Sequence, residues 1–348
     1  MRITTVIGAR PQFIKAAVVS RELNKAGVDE VLVHTGQHYD EEMSAVFFDE
    51  LGIPKPAINL NVGSGSHAMQ TGEIIVRLEE FLLDGPKPDY VLVYGDTNST
   101  IAGALVASKL HMPLAHVEAG LRSFNRTMPE EINRVVTDRL SSLLFCPTQT
   151  AVDNLRDEGI TDGVHLTGDV MLDATLLFAD LAERHRPLRS IAPLEENAYY
   201  IATIHRAENT DDPDRLKRIF EGLGRVGAPV TVPLHPRTKG VLGGITIPEN
   251  VHITSPVGYL SMLSLVRYAR GVFTDSGGLQ KEAVWLGVPC VTLRDETEWV
   301  ETTERGWNRV VGADPDRIAE AVSNPPEPPA PVFAEPGAAK RTAVILAG

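Results

Sequence analysis

The chain has 348 residues, 43% of them hydrophobic and 23% charged, with a formal net charge of −13; that length supports two domains, each with its own core. No apolar run approaches the ~20 residues of a membrane helix, and the acidic balance argues against nucleic acid or an anionic membrane as the main partner, so any anionic ligand must be met by a few local cations. The opening MRITTVIGAR lacks the apolar stretch and small-residue cleavage site of a signal peptide, and Cys146 and Cys290 each stand beside proline in apolar, strand-like context. Neither a disulfide framework nor a thiolate metal cluster follows from them, and a cytoplasmic protein is expected.

In chain order, ITTVI (3–7) and VLVH (31–34) read as strands separated by a helix over 14–26 that stops at Gly27. YVLVY (90–94) follows, then a helix capped by Thr97 or Asn98 and running to Leu110, then PLAHV (113–117), LLFC (143–146) and VHLT (164–167). After about residue 170 the pattern restarts with YYIATI (199–204), VTVPL (230–234), VHIT (251–254), GVFT (271–274) and VPCVTL (288–293). Short β-branched runs alternating with helix-length stretches predict an α/β protein with two Rossmann-like doubly wound domains facing a cleft, because ligands bind beyond the carboxyl ends of such strands. The domains expected are 1–170 and 171–330. The proline-rich NPPEPPAPVFAEPG (324–337) is an extended connector, followed by a short helix over about 337–348.

The turns after these strands hold the candidate chemistry. GARPQFIK (8–15) runs from the first strand into a helix whose N-terminus carries partial positive charge, with Arg10 and Lys15 adding formal charge. This suits a phosphate, and equally an ordinary βα turn with two surface cations. FTDSGGLQKEA (273–283) repeats the arrangement: an acidic turn, then Ser276, Gly277 and Gly278 opening a helix. Glycines there admit a ligand close to the backbone, Ser276 can donate to a phosphate oxygen and Glu282 can accept from a ribose diol; the alternative is a helix cap with glycines for tight packing. YGDTNST (94–100) sets Asp96 at a strand-to-helix junction, as an N-cap or a functional acid, while ATIHRAEN (202–209) and PLHPRT (233–238) deliver His205, Arg206, Glu208 and His235 from strand ends. Their spacings match no standard metal pattern, and no metal is expected.

HVEAGLRSFNRTMPEEINR (116–134) mixes both kinds of acid. Pro129, Glu130 and Glu131 read as a helix start favoured by the helix dipole, with Arg134 four residues after Glu130 as a stabilising pair. Glu118 follows its strand almost without a gap, which puts it at a carboxyl end as a general acid or base.

Read together and in order, GARPQFIK, TGQHYD, GDTNST, HVEAGLRSFNRTMPEEINR, HRAEN, HPRT and TDSGGLQKEAVWLGVP closely resemble the non-hydrolysing UDP-N-acetylglucosamine 2-epimerases along nearly the whole chain. The resemblance implies a GT-B-like domain pair with the C-terminal helix crossing back to the first domain, a UDP-sugar substrate, no redox cofactor and a homodimer. It assigns Arg10, Ser276, Gly277 and Gly278 to the diphosphate, Glu282 to the ribose, and Asp96, Glu118, Glu131 and His205 to catalysis. Lys15, Arg134, Arg206, Glu208 and His235 line the same site. It also implies elimination of UDP across C1 and C2 to 2-acetamidoglucal, then re-addition after protonation from the other face, with domain closure to exclude water. Two departures bear on the substrate: the family's TERPE reads TEWVE (297–301) here, and the segment before the paired glutamates is short. Relatives sharing these features include enzymes acting on UDP-2,3-diacetamido-2,3-dideoxy-glucuronic acid. A glycosyltransferase of the same fold and a non-catalytic nucleotide-sugar sensor are the remaining alternatives.

Overall fold

Arg2–Ile7 (β1) buries Ile3, Val6 and Ile7 together with Thr4 and Thr5, the two-sided burial of a strand covered on both faces. It pairs in parallel with Asp29–His34 (β2) on one side and Tyr90–Tyr94 (β4) on the other. With Ile58–Asn59 (β3), Leu114–Val117 (β5), Leu143–Cys146 (β6) and Val164–Leu166 (β7) they form a parallel sheet in the order β3-β2-β1-β4-β5-β6-β7. A second parallel sheet contains Tyr200–Thr203 (β8), Val230–Pro233 (β9), Val251–Thr254 (β10), Gly271–Thr274 (β11), Cys290–Thr292 (β12) and Asn308–Val310 (β13), in the order β10-β9-β8-β11-β12-β13. In both, strand order reverses beside the first strand, between β1 and β4 and between β8 and β11, the switch points at which doubly wound sheets bind ligands. These features come from a computed structural model, which describes residues 1–37, 51–185, 188, 194–234, 236–328, 330 and 334–348.

The helices of the first half are Arg10–Lys25 (α1), His67–Asp84 (α2), Asn98–Lys109 (α3), Pro129–Leu140 (α4), Gln149–Asp157 (α5) and Val170–His185 (α6). Those of the second are Ala207–Thr210 (α7), Pro213–Gly224 (α8), Pro236–Val241 (α9), Tyr259–Arg267 (α10), Gly277–Trp285 (α11) and Pro315–Glu320 (α12), before the final helix Ala338–Ala347 (α13). The chain divides into two compact units, Met1–Ala174 with Ala334–Gly348, and Thr175–Phe333.

Most strands match the apolar runs that predict them, but α1 begins at Arg10 and not at residue 14. Pro11 fits the first turn, where its missing N–H loses nothing, so RPQF (10–13) is already helical. Two strands escape the sequence pattern: β3 has only 2 residues, and β13 is NRV, with a single apolar residue. Thr97 caps α3 as expected, its hydroxyl accepting from the Thr100 N–H while the Thr100 hydroxyl accepts from the Thr97 N–H. Cys146 and Cys290 are buried and unbridged.

Within the first unit α13 packs on α1, and one carboxylate fastens its start. Gly337, the N-cap, has no side chain to cap with, and Asp173 from α6 takes over: its oxygens accept the N–H groups of Gly337 at 2.6 Å and Ala339 at 2.7 Å. Arg341 adds a bond from Nε to the Thr167 carbonyl at 2.7 Å. Asp173→Ala removes an acceptor shared by two orphan donors at a helix N-terminus, so it should lower unfolding stability by about 1–2 kcal/mol in urea titrations. Asp173→Asn, which keeps one acceptor, should lose less.

Candidate active site

In the first unit the turns after β1, β2 and β4 interlock. Gly8 has no space for a side chain: a Cβ there would lie 2.0 Å from Thr35 Oγ1 and 2.2 Å from Ser99 Oγ. Gln12 Oε1 accepts the Gly8 and Ala9 N–H groups at 2.8 and 3.0 Å, and its Nε2 donates to the Tyr94 carbonyl at 2.8 Å. Gln37 Oε1 accepts the Ser99 N–H at 3.1 Å and the Ser99 hydroxyl at 2.6 Å. The backbone donors of Gly8 and Ala9 are therefore used within the protein, and the attraction of this turn for an anion rests on its cations. Arg10 is the first residue of α1, and burial lowers its pKa from the ordinary guanidinium value.

Lys15, one turn further along α1 and 8% exposed, pairs with Glu118. Glu118 follows β5 directly with φ +72°, a left-handed conformation that a non-glycine residue rarely holds. Its N–H and that of Ala119 both donate to the Phe145 carbonyl at 3.1 Å, which keeps the chain in this shape. The pair rests on Gly95: a Cβ added there would lie 3.4 Å from both Glu118 Oε2 and Lys15 Nζ. Asp96, next in the chain, pairs with Arg134, while Asn133 Nδ2 donates to the Asp96 carbonyl at 2.9 Å. The Arg134 partners thus include an acid 38 positions away, along with Glu131 at 3.3 Å.

Glu131, 4% exposed, accepts the Ser123 N–H at 2.9 Å, the Ser123 hydroxyl at 3.0 Å and the Phe124 N–H at 3.0 Å. Both oxygens are occupied, so in this arrangement it braces the loop before α4, where Phe124 has φ +58° and is 76% exposed. Lys15–Glu118 and Asp96–Arg134–Glu131 thus form two charge groups that meet the turns after β4 and β5.

In the second unit the organising group is Asp275, wholly buried between β11 and α11. It accepts the N–H groups of His205 and Arg206 at 2.9 Å each and Asn209 Nδ2 at 3.0 Å, and His205 Nδ1 lies 3.0 Å from its other oxygen. This joins the turn after β8 to the turn after β11. Burial raises the Asp275 pKa, and the bonds and charge from His205 with the two backbone donors overcome that, leaving it below the ordinary carboxylate value of 3.8.

Ser276 stands at the N-cap position of α11, yet its side chain makes no capping bond, contrary to the plain cap reading. Gly278 opens onto space, with nothing within 4 Å of an added Cβ, whereas Gly277 would strike Glu298 Oε1 at 2.4 Å and Trp299 Nε1 at 3.2 Å. Glu282 is buried and accepts the Tyr259 hydroxyl at 2.8 Å. Glu208 is exposed and pairs with the buried Arg294 at 3.3 Å, and Arg294 also holds Glu298 at 2.8 Å. His205 and Arg206 are half-buried at the end of β8. His235 lies outside the described residues.

Sequence reading missed the side chains that hold these turns. Gln12, Asp138, Arg294 and Glu298 belong to no charge motif, although Arg294 has a signal in hindsight: like Asp96 and His205, it closely follows a strand. Asp275 stands in the quoted turn as an acid, without the three backbone-linked partners that define it. Among the described residues no group of three or more His, Cys, Asp or Glu side chains could hold a metal, and no helix is long and apolar enough to cross a membrane.

Two doubly wound sheets with acids, cations and a glycine turn at their strand carboxyl ends define an α/β enzyme of the two-domain Rossmann-like class. Comparison with known proteins narrows this. The model of the UDP-N-acetylglucosamine 2-epimerase family matches residues 21–346. A UDP-2,3-diacetamido-2,3-dideoxy-D-glucuronate 2-epimerase of Pseudomonas aeruginosa is 52% identical, over 92% of this chain and 91% of its own. A UDP-N-acetylglucosamine 2-epimerase of Methanocaldococcus jannaschii is 45% identical over 92% and 91%. The crystal structure of the M. jannaschii enzyme in complex with UDP-GlcNAc and UDP superposes with a TM-score of 0.92 at 43% identity, covering 99% of both chains. The chain belongs to the UDP-N-acetylglucosamine 2-epimerase family and is an epimerase.

Asp275 makes the second unit acid-sensitive in a definite direction. Its folded-state pKa is depressed, so the stability it contributes is complete above the unfolded carboxylate value and disappears as pH falls through the lower folded value. The difference in unfolding free energy between the wild type and Asp275→Asn should shrink from about pH 4 downward. Denaturant titrations across that range check it; a difference that persists undiminished well below about pH 3 would contradict the assignment.

Proposed function

We propose that this enzyme interconverts UDP-N-acetylglucosamine and UDP-N-acetylmannosamine without hydrolysis, by eliminating UDP and adding it back. The observation that carries the reading is Glu118, a carboxylate held at a strand's end in a rare backbone conformation and paired with a buried lysine. Strain of this kind costs about 1–3 kcal/mol and survives where surrounding structure over-determines it, as at catalytic positions. The M. jannaschii relative, crystallised with UDP-GlcNAc and UDP, supports the substrate.

Carbon 2 of the sugar has no adjacent carbonyl, so its proton is too weakly acidic for simple removal and return. Elimination solves this: a base takes the C2 proton, the C1–C2 double bond forms, and the C1–oxygen bond breaks with its electron pair leaving on UDP. The intermediate is 2-acetamidoglucal. An acid then protonates C2 from the opposite face while a UDP oxygen re-forms the bond to C1, inverting C2. We assign the proton transfers to Asp96 and Glu118, each poised by a cation, Arg134 and Lys15 respectively. Glu131 acts in the same set by holding Arg134 and the 123–124 loop, and Arg10 with His205 and the Ser276–Gly278 turn steadies the departing diphosphate. Glu282 takes the ribose, and Arg206, Glu208 and His235 complete the binding set. No step needs a redox cofactor or a metal.

A second substrate has a specific observation in its favour. Trp299 stands where the family's usual arginine would be, its indole against the Gly277 turn, and a relative at 52% identity is named for UDP-2,3-diacetamido-2,3-dideoxy-D-glucuronate. The chemistry at C2 is the same. For assembly we propose a homodimer working in the cytoplasm, supported by exposed Met69, Val76 and Leu83, which recur every seven residues on α2 and so share one face.

Incubation with UDP-N-acetylglucosamine in deuterated water, followed by NMR, should give UDP-N-acetylmannosamine with deuterium at C2 and little free UDP; the diacetamido-glucuronate is run in parallel to decide the substrate. Stoichiometric UDP release would favour hydrolysis, and turnover only with an added acceptor would favour glycosyl transfer. Glu118→Gln should retain UDP binding and lose C2 exchange by roughly 100-fold or more. An unchanged exchange rate would remove Glu118 from the catalytic set.

A further inference from the structure

Asp138, in the third turn of α4, is fully buried, as is His116 in β5. One Asp138 oxygen lies 2.7 Å from His116 Nδ1; the other accepts the Gly120 N–H at 3.1 Å and Arg122 Nη1 at 2.7 Å. The far ring nitrogen of His116 is 2.7 Å from the Gly95 carbonyl, which can only accept, so Nε2 carries a proton and donates. Arg122 is held from behind by a two-point contact with Glu158, at 2.6 and 2.8 Å.

These contacts fall on chain neighbours of the two proposed acids. Glu118 lies between His116 and Gly120, and both of those neighbours end on the same carboxylate. Gly95 precedes Asp96, and its own N–H bonds the Val117 carbonyl at 3.0 Å just past the last β4–β5 pair, Tyr94 with Val117. His116 returns the second link between the two turns. Gly120 leaves no space for a side chain: it has φ +79°, and an added Cβ would lie 2.3 Å from the Ala151 carbonyl oxygen.

We propose that Asp138 is a positioning residue that sets the separation of Asp96 and Glu118, acting through His116 on one turn and through Gly120 on the other. This rests on the proposed assignment of those two acids to C2 chemistry. Residue displacements of about 1 Å at a reacting centre cost on the order of 100-fold in rate, so loosening this clamp should appear in turnover before binding.

The test uses Asp138→Asn and His116→Gln, singly and combined, with C2 deuterium exchange and KM for whichever sugar the wild type turns over, UDP binding, and thermal unfolding to establish that each variant is folded. Each single variant should lower kcat roughly 10- to 100-fold with KM and UDP affinity within about twofold of the wild type. The combined variant should be no slower than the slower single, because both break one chain of contacts. His116→Gln leaves the Asp138 bonds to Gly120 and Arg122 in place and carries the test if Asp138→Asn does not fold. Wild-type kcat in a folded variant, losses that multiply, or kcat and KM changing together would overturn the positioning role alone. A wild type that turns over neither sugar would overturn the function and this inference with it.

Discussion

A carboxylate taken out of water is stable only while its donors stay in place, and each unit of this protein buries one at the carboxyl edge of its sheet. Asp138 collects His116, Gly120 and Arg122, while Asp275 collects His205, Arg206 and Asn209. Removing one member of such a buried set costs about 3–5 kcal/mol, because the remaining charge is left without compensation. In each unit the set combines backbone N–H groups, a histidine and one further side chain, Arg122 in the first and Asn209 in the second, drawn from strand ends and the segments that follow them. These contacts tie the turns to the sheets beneath them, and Glu118, at φ +72°, is held within them by the bonds of its own N–H and that of Ala119 to the Phe145 carbonyl.

Charge pairing follows the same plan in the first unit. The two acids assigned to proton transfer each face a cation from a different helix, Lys15 on α1 and Arg134 on α4, so the unit holds them as separate pairs and not as adjacent like charges. Glu131 shows that residue type and sequence position do not alone make an acid available: three hydrogen bonds commit it to the loop and an ion pair to Arg134. In the second unit Ser276 and Gly278 offer a hydroxyl without a capping bond and an open backbone, properties expected of a turn that receives phosphate oxygens.

The parallel α/β architecture was legible because buried strands in such sheets are continuous apolar runs, and YVLVY, LLFC, VHIT and GVFT match β4, β6, β10 and β11 residue for residue. The two-residue β3 and the polar NRV of β13 offer no apolar run to read. The positions carrying charge were legible too, since Asp96, Glu118 and His205 all stand where a strand gives way to a turn. Partners were less so. Local spacing points from Arg134 to Glu130 and gives no sign of its ion pair with Asp96 across the fold. Asp138 sits in INRVVTDRL, where an acid among polar residues reads as helix surface; only the packing of α4 on β5 buries it.

Breakage and re-formation of the bond between C1 and UDP separates this mechanism from any direct inversion at C2. It is tested most directly with substrate labelled by oxygen-18 at the bridge between C1 and the β-phosphorus. While UDP is detached its β-phosphate oxygens become equivalent by rotation, so re-addition should move label into the non-bridging positions of recovered UDP-sugar, at a rate comparable with epimerisation and visible by phosphorus NMR. Full retention of label in the bridge after C2 has equilibrated would contradict elimination and re-addition.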